Sequence, residues 1–250
     1  MSAARLALPV LLAAAPAQAD SFVLVHGAWV GEWAWDAVAP LLAAGGHDVQ
    51  AVSLRGQGRR AAEGGPAVSV EDHVADVVAA VEAAPSDRVI LVAHSYGGRP
   101  ATGAWDRARA LVDHVVFVEA PAPFRDPPFE GAPLLPADDD SLAFVVTMYP
   151  DVVDGGMMPP PPGLREEPGR PLAPMSLRAL YGAVPGDLLP PTRCTYVYAE
   201  ASDLPVLRQV GEAMRDGRGC ALREVPGGHD VPGEAPEALA AILLDAADAP

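Results

Sequence analysis

Long apolar runs and positive charge are both scarce in this sequence. No stretch reaches the roughly 18 uninterrupted apolar residues that a membrane-spanning helix requires. The 17 Lys and Arg side chains are outnumbered by 33 Asp and Glu, which gives a formal net charge of −16. A chain this negative repels nucleic-acid phosphates and anionic lipid surfaces, so neither nucleic acid nor a membrane is expected as a partner.

The sequence shows little sign of a metal site. The one local run of acids, Asp138–Asp140, has no His or Cys near it. Metal sites need several ligands close together, so this run predicts a solvated loop. No metal is therefore expected.

Cysteine is also scarce, with only Cys194 and Cys220 in the chain. Each opens an apolar run of the kind that forms a buried strand, CTYVYA and CALREV. If the two strands are parallel neighbours, their starts lie about 5 Å apart, which is within reach of a disulfide. Two free thiols packed in the core are the alternative, and the sequence leaves both open.

The first 20 residues, MSAARLALPVLLAAAPAQAD, combine Arg5, an apolar run and small residues at Ala17 and Ala19. That order predicts a cleaved secretory signal over residues 1–19, with the mature chain beginning near Asp20. The protein is then expected to be secreted or periplasmic. The alternative is an Ala-rich extension on a cytoplasmic protein.

The rest of the chain alternates apolar strands with amphipathic helices. Residues 20–121 contain the strand-like runs SFVLV, HDVQAV, RVILVAH and HVVFVEA, and the alternation resumes over residues 192–250. The strands are apolar throughout, which is typical of a mostly parallel sheet covered by helices on both faces. A chain of 250 residues is long enough for one such α/β domain.

Residues 122–191 interrupt this rhythm. The segment is rich in Pro, Gly and Asp, and only SLAFVVTMY and MSLRALYGAV have helical patterns. Seventy residues without a clear strand predict a small inserted cap or lid over the α/β core. A disordered excursion is the alternative, but apolar residues such as Met157, Met158 and Leu180 favour an ordered cap.

The motif VILVAHSYGG predicts a nucleophile at Ser95. It matches the strand-turn-helix frame G-x-S-x-G, with Ala93 in place of the first Gly and with Gly97 retained. Small residues on both sides let the backbones approach closely, so that the serine hydroxyl projects at the start of the next helix. A serine hydroxyl needs a base to react, and His229 follows the last strand, where a loop reaches the same sheet edge.

Acyl transfer also requires donors for the oxyanion that develops on the carbonyl oxygen. The backbone N–H of Tyr96, directly after the serine, is one candidate. The loop after the first strand, VHGAW, offers the N–H of Ala28 as the second. Trp29 in the same loop is a candidate substrate-binding residue, although a tryptophan there could equally pack in the core.

Together these motifs resemble the α/β-hydrolase superfamily, and within it the small esterases grouped with plant methylesterases and hydroxynitrile lyases. The resemblance is carried by FVLVHGAWVGEWAW, HSYGG, YVYA and the late histidine loop. It implies an α/β-hydrolase fold that cleaves small carboxylic esters through an acyl-enzyme, with no cofactor. The lyases carry Thr where this chain has Gly27, and Lys where it has Asp230, so hydrolysis is favoured.

The triad acid is the point where this chain departs from that group. The expected frame, Y-x-x-x-x-x-D-x-x-x-P, places the acid at Ser202 when counted forward from Tyr196, and at Ala201 when counted back from Pro205. Neither residue is acidic. Asp203, one or two positions late, is the first choice. Two acids at strand ends, Glu119 and then Glu200, are the alternatives.

Other functions remain open from the sequence. A thioesterase, a lactonase, an amidase or a hydroxynitrile lyase would use the same scaffold. A hydrolase-fold protein that binds ligands without catalysis would be expected to have lost triad residues. The natural substrate and the oligomeric state are not encoded in any motif.

Overall fold

The computed structural model describes residues 19–122, 155–164, 166–184 and 193–248. The predicted helix SLAFVVTMY lies outside this part. The predicted signal, residues 1–19, also lies outside it, except for Ala19. Within it, eight strands form: β1 Ser21–Val25, β2 Asp48–Val52, β3 Val89–His94, β4 Val112–Val118, β5 Met157–Met158, β6 Met175–Ser176, β7 Cys194–Ala199 and β8 Ala221–Val225.

Six of these strands form one parallel sheet in the order β2-β1-β3-β4-β7-β8. From β1, the chain adds β2 at the edge on one side and then crosses over to add β3 on the other side. Such a reversal opens a crevice beyond the carboxyl ends of the strands, where ligands of open α/β sheets bind. The crevice here lies where β1 and β3 end side by side, with Val25 beside Ala93.

Helices cover both faces of the sheet, as predicted. In β1, Val23 and Val25 pack into one core cluster while Phe22 and Leu24 pack into the other, because successive strand residues point to opposite faces. The helices are α1 Ala39–Ala44, α2 Val70–Glu82, α3 Gly98–Ala108, α4 Leu177–Tyr181, α5 Pro205–Arg218, α6 Val231–Glu234 and α7 Pro236–Asp248, with 3₁₀ turns at Glu32–Trp35, Gly58–Glu63 and Ser95–Gly97. No helix in these described ranges is long and apolar enough to cross a membrane.

Two helix starts show how local sequence acts. A capping box begins α2: Ser69 Oγ accepts from the Asp72 N–H at 3.3 Å, and Asp72 Oδ2 accepts from the Ser69 N–H at 2.9 Å. By contrast, GEWAWDAVAPLLAA, whose apolar residues recur at helical spacing, forms two short elements, the 3₁₀ turn Glu32–Trp35 and α1. Pro40 lacks an N–H to continue a helix from the preceding turn, so α1 begins afresh around it.

The described part of the predicted cap is ordered against the core. β5 and β6 pair antiparallel, Met157 opposite Ser176 and Met158 opposite Met175, and α4 follows directly. The sequence predicted no strand here, because two-residue strands are too short to leave a periodic pattern. Whether the whole of residues 122–191 acts as a lid stays a prediction.

Cys194 and Cys220 form a disulfide with a Cα–Cα distance of 4.8 Å. Cys194 begins β7, and Cys220 immediately precedes β8, its parallel neighbour. The strand pairing therefore brings the two side chains together, and the alternative of two free thiols is wrong.

Removing this disulfide is expected to destabilise the protein. The bond closes a loop with a sequence separation of 26 residues, for which the chain-entropy model gives about 3–4 kcal/mol. Urea unfolding of the Cys194→Ala/Cys220→Ala variant should show a loss of that size in the free energy of unfolding. Wild-type protein under reducing conditions is the control and should unfold like the variant. Equal stability of oxidised wild type and variant would contradict the prediction.

Candidate active site

Three loops at the carboxyl edge of the sheet contain strained backbone. Among the residues that the structure describes, three non-glycine residues have positive φ: Trp29 at 64°, Ser95 at 50° and Glu119 at 46°. They follow the carboxyl ends of β1, β3 and β4, which are neighbours around the crevice. A side chain in this region costs free energy and persists only where the surroundings impose it, which occurs often at functional sites.

Ser95 lies at the sharp turn between β3 and α3. A Cβ atom at Gly97 would lie 2.8 Å from the carbonyl oxygens of both Val25 and His26, and one at Gly98 would lie 2.3 Å from the Pro121 carbonyl. Only glycine therefore lets the turn pass so close to neighbouring loops. The turn projects the Ser95 hydroxyl out of the sheet edge, as the motif predicts.

The structure brings His229 to this hydroxyl. His229 lies in the loop between β8 and α6, and its Nε2 is 2.9 Å from Ser95 Oγ. Its backbone carbonyl accepts a hydrogen bond from His94 Nε2 at 2.8 Å. The loop is thus tied to the residue directly before the serine.

The carboxylate that faces His229 belongs to Glu119. Its Oε2 is 3.2 Å from His229 Nδ1, its Oε1 accepts from the Ala199 N–H at 2.9 Å, and the Ser202 hydroxyl also donates to Oε2. The residue is wholly shielded from solvent. A buried carboxylate is tolerated only when it is hydrogen-bonded or paired, and these three donors meet that need.

The preference for Asp203 as the partner of His229 is therefore wrong. After β7 the chain turns tightly: the Ala201 N–H bonds the Gly227 carbonyl, and the Ser202 N–H bonds the Ala199 carbonyl. This turn directs Ser202 inward and leaves Asp203 exposed. Glu200, the third choice, is exposed as well.

The sequence did contain a signal for Glu119. It follows β4, whose last five residues, HVVFV, are all buried. A carboxylate at the end of such a strand cannot reach water and needs a specific partner. That argument would have ranked Glu119 above two acids in a solvent-facing loop.

Both predicted oxyanion donors belong to segments that lie beside Ser95. A Cβ atom at Gly27 would lie 3.2 Å from Ser95 Cβ, so the loop that carries Ala28 runs directly beside the serine. The Tyr96 side chain is buried, and its hydroxyl lies 2.8 Å from His73 Nδ1. Because His73 Nε2 donates to the Arg55 carbonyl, Nδ1 accepts the tyrosine proton and fixes Tyr96. Their role as oxyanion donors stays a prediction.

Trp29, the predicted substrate-binding residue, joins this loop to the cap segment. Its indole Nε1 donates to the Met158 carbonyl at 3.1 Å, its backbone N–H donates to Met175 Sδ at 3.2 Å, and its carbonyl accepts from Ala173. The side chain is half-buried and packs on the main core cluster. The packing role is therefore present, and contact with a substrate stays a prediction.

Two further histidines support the site as neutral groups. His26 donates from Nδ1 to the Gly27 carbonyl at 2.8 Å and accepts from the Leu54 N–H. Burial lowers the pKa of His26 to about 4 and that of His94 to about 3. No cluster of three His, Cys, Asp or Glu side chains in the described part of the chain is arranged to hold a metal ion.

The model of the alpha/beta hydrolase family matches residues 22–242, a span that includes Ser95, Glu119 and His229. The chain belongs to the alpha/beta hydrolase family. The fold and the suspected resemblance are thereby confirmed.

Within this hydrolase family, several curated relatives are esterases. The chain is 43% identical over 103 residues to a carbendazim hydrolyzing esterase of Nocardioides sp. (strain SG-4G), covering 41% of this chain and 43% of that protein. It is 37% identical over 105 residues to esterase PIR7B of Oryza sativa subsp. japonica, covering 41% and 39%. The matches thus span less than half of the length of these relatives.

Solved structures share the hydrolase fold over nearly the whole chain. A pyrethroid hydrolase, PytH, superposes with a TM-score of 0.68 at 23% identity, covering 93% of this chain and 99% of the other. Polyneuridine aldehyde esterase gives a TM-score of 0.63 at 19% identity, covering 91% and 99%. At such identities the likeness concerns the fold.

Because His26 and His94 are buried as neutral groups, the free energy of unfolding is expected to decrease as the pH falls. Their folded-state pKa values lie below the unfolded value near 6.5, so the unfolded chain takes up protons first as the pH falls. Their contribution is complete above pH 6.5 and is lost towards pH 4 for His26 and pH 3 for His94, at about 1.4 kcal/mol per pH unit for each.

Urea unfolding at pH 7, 6 and 5 measures how steeply the free energy of unfolding falls as the pH falls. His94→Gln can still donate to the His229 carbonyl. Its free energy of unfolding should change less steeply with pH than that of wild type, by the equivalent of about one proton taken up on unfolding. Identical slopes in wild type and variant would show that His94 is not a buried neutral group.

Proposed function

We propose that this hydrolase-family protein cleaves small carboxylic esters through an acyl-enzyme on Ser95. The observation that supports this most directly is the continuous hydrogen-bonded series from Ser95 Oγ to His229 Nε2, 2.9 Å, and from His229 Nδ1 to Glu119 Oε2, 3.2 Å. Nucleophile, base and orienting acid in this geometry are the requirements for acyl transfer by serine. The esterase names of the curated relatives agree with it.

In the first half-reaction, His229 Nε2 takes the proton of Ser95 as its Oγ attacks the ester carbonyl carbon. The N–H groups of Ala28 and Tyr96 stabilise the oxyanion of the tetrahedral intermediate. As the intermediate collapses, the imidazolium gives its proton to the departing alkoxide, and the alcohol leaves. The acyl group remains on Ser95.

In the second half-reaction, His229 takes a proton from water, which attacks the acyl-enzyme carbonyl. Collapse releases the carboxylic acid and returns the proton to Ser95 Oγ. Glu119 accepts from Nδ1–H in both half-reactions and stabilises the imidazolium. Its place in the sheet differs from the acid loop expected from the related esterases, but its chemistry is the same.

The competing activities are less well supported. The two sequence departures at Gly27 and Asp230 disfavour a cyanohydrin lyase, because Asp230 supplies no cation beside His229. A ligand-binding protein without catalysis would lack part of the hydrogen-bonded series. Thioesterase, lactonase and amidase activities share the same machinery, and a substrate panel separates them.

The proposal also covers the class of substrate and the location of the protein in the cell. Trp29 is half-buried and contacts the cap segment at Met158 and Met175, so we expect small, apolar acyl or alcohol groups to be preferred. Carbendazim belongs on the substrate panel because a relative is named for hydrolysing it. The disulfide and the residue 1–19 pattern both favour a secreted or periplasmic protein.

Hydrolysis of p-nitrophenyl acetate and butyrate tests the proposed activity. Wild type is expected to release p-nitrophenol with saturation kinetics, and Ser95→Ala is expected to lose more than a thousandfold in kcat. A wild type as inactive as Ser95→Ala, in a folded protein, would overturn the proposal.

The identity of the triad acid is tested by a pair of matched substitutions. Glu119→Gln is expected to lower kcat at least a hundredfold, because the uncharged amide cannot stabilise the imidazolium. Asp203→Asn, an equivalent change at an exposed position, is expected to lower it less than threefold. The reverse order of effects would restore Asp203 as the acid.

A further inference from the structure

Glu119 has a hydrogen-bond partner that the proposed mechanism does not use. We propose that Ser202 is a positioning residue that orients the Glu119 carboxylate towards His229. This proposal rests on the proposed function, since it assigns Glu119 as the triad acid. The surroundings of that carboxylate, the path of the Ser202 proton and the place of Ser202 in the sequence each support it.

The carboxylate orientation is set by hydrogen bonds. The terminal torsion of a glutamate is broad, so the rotamer alone does not determine which oxygen faces the imidazole. The Ala199 N–H binds Oε1 at 2.9 Å, and the Ser202 hydroxyl binds Oε2. These two contacts hold the carboxylate at both oxygens and present Oε2 to His229 Nδ1.

The two contacts of the Ser202 hydroxyl determine the direction in which it donates its proton. Ser202 Oγ accepts a hydrogen bond from the Leu204 N–H at 3.2 Å. An ionised carboxylate only accepts, so the Ser202 hydroxyl proton lies on the side of Glu119. Ser202 is itself fixed by its backbone N–H, which bonds the Ala199 carbonyl at 3.3 Å.

The position of Ser202 in the chain strengthens the argument. Counting forward from Tyr196 in the frame of the related esterases, position 202 is where the acid is expected. This chain has a hydroxyl there, and the carboxylate arrives from the end of β4 instead. A second carboxylate in contact with Glu119 would repel it, whereas a hydroxyl can donate a hydrogen bond to it.

The first test compares variants that keep or lose the hydroxyl. Ser202→Ala is expected to lower kcat for p-nitrophenyl butyrate about tenfold, with KM changed less than twofold, because the lost bond is to a charged group. Ser202→Thr and Ser202→Val are matched in shape and differ by the hydroxyl alone. The kcat of Ser202→Thr should stay within threefold of wild type, and that of Ser202→Val should be close to that of Ser202→Ala.

A double-mutant cycle separates positioning from a general structural effect. In the Glu119→Gln background, Ser202→Ala should cost less than twofold, because the carboxylate that Ser202 orients is gone. A full tenfold loss in both backgrounds would overturn the proposal, as would a Val variant as active as Thr. Asp203→Asn, in the same loop, is the control and should leave kcat within threefold.

A readout without turnover distinguishes this proposal from the proposed function. The His229 Nδ1 proton, shared with a carboxylate, is expected as a far-downfield proton NMR resonance in wild type. It should vanish in Glu119→Gln and move upfield in Ser202→Ala. A protein without ester turnover whose resonance responds in this way would refute the esterase function but keep the positioning role. An active protein in which Ser202→Ala changes neither kcat nor the resonance would refute the positioning role alone.

Discussion

The buried carboxylate of Glu119 is the constraint on which the rest of the site depends. A charge that is fully removed from water must be met by donors, and this one draws the Ala199 N–H, the Ser202 hydroxyl and His229 Nδ1 around it. The donors come from the ends of β7 and β8, while the acid comes from the end of β4. One ionised group thereby ties three strand ends into a single arrangement.

Rigid surroundings make this arrangement possible. The parallel sheet holds the loops of Trp29, Ser95 and Glu119 in left-handed backbone conformations that an isolated peptide would avoid. Buried neutral histidines then fix the remaining pieces: His26 bonds the Gly27 carbonyl, and His94 bonds the His229 carbonyl. The side chains of the site are thus oriented by backbone contacts in the absence of a substrate, which is the usual basis of preorganisation.

Family membership and site geometry support the same function from different directions. The family match covers most of the chain, while the curated esterases match less than half of their own length. Membership therefore accounts for the fold, and the argument for ester hydrolysis depends on the series Ser95–His229–Glu119.

The sequence by itself determined the features that local patterns encode. Apolar runs defined the sheet strands, the capping box defined the start of α2, and the strand-turn-helix motif predicted the sharp turn at Ser95, because each depends on neighbours within a few residues. The tertiary structure alone decided the partner of His229, since Glu119 and His229 are 110 residues apart. It also decided the disulfide and the β5–β6 pair. Each of these depends on which distant strands and loops lie side by side, and spacing along the chain does not record that.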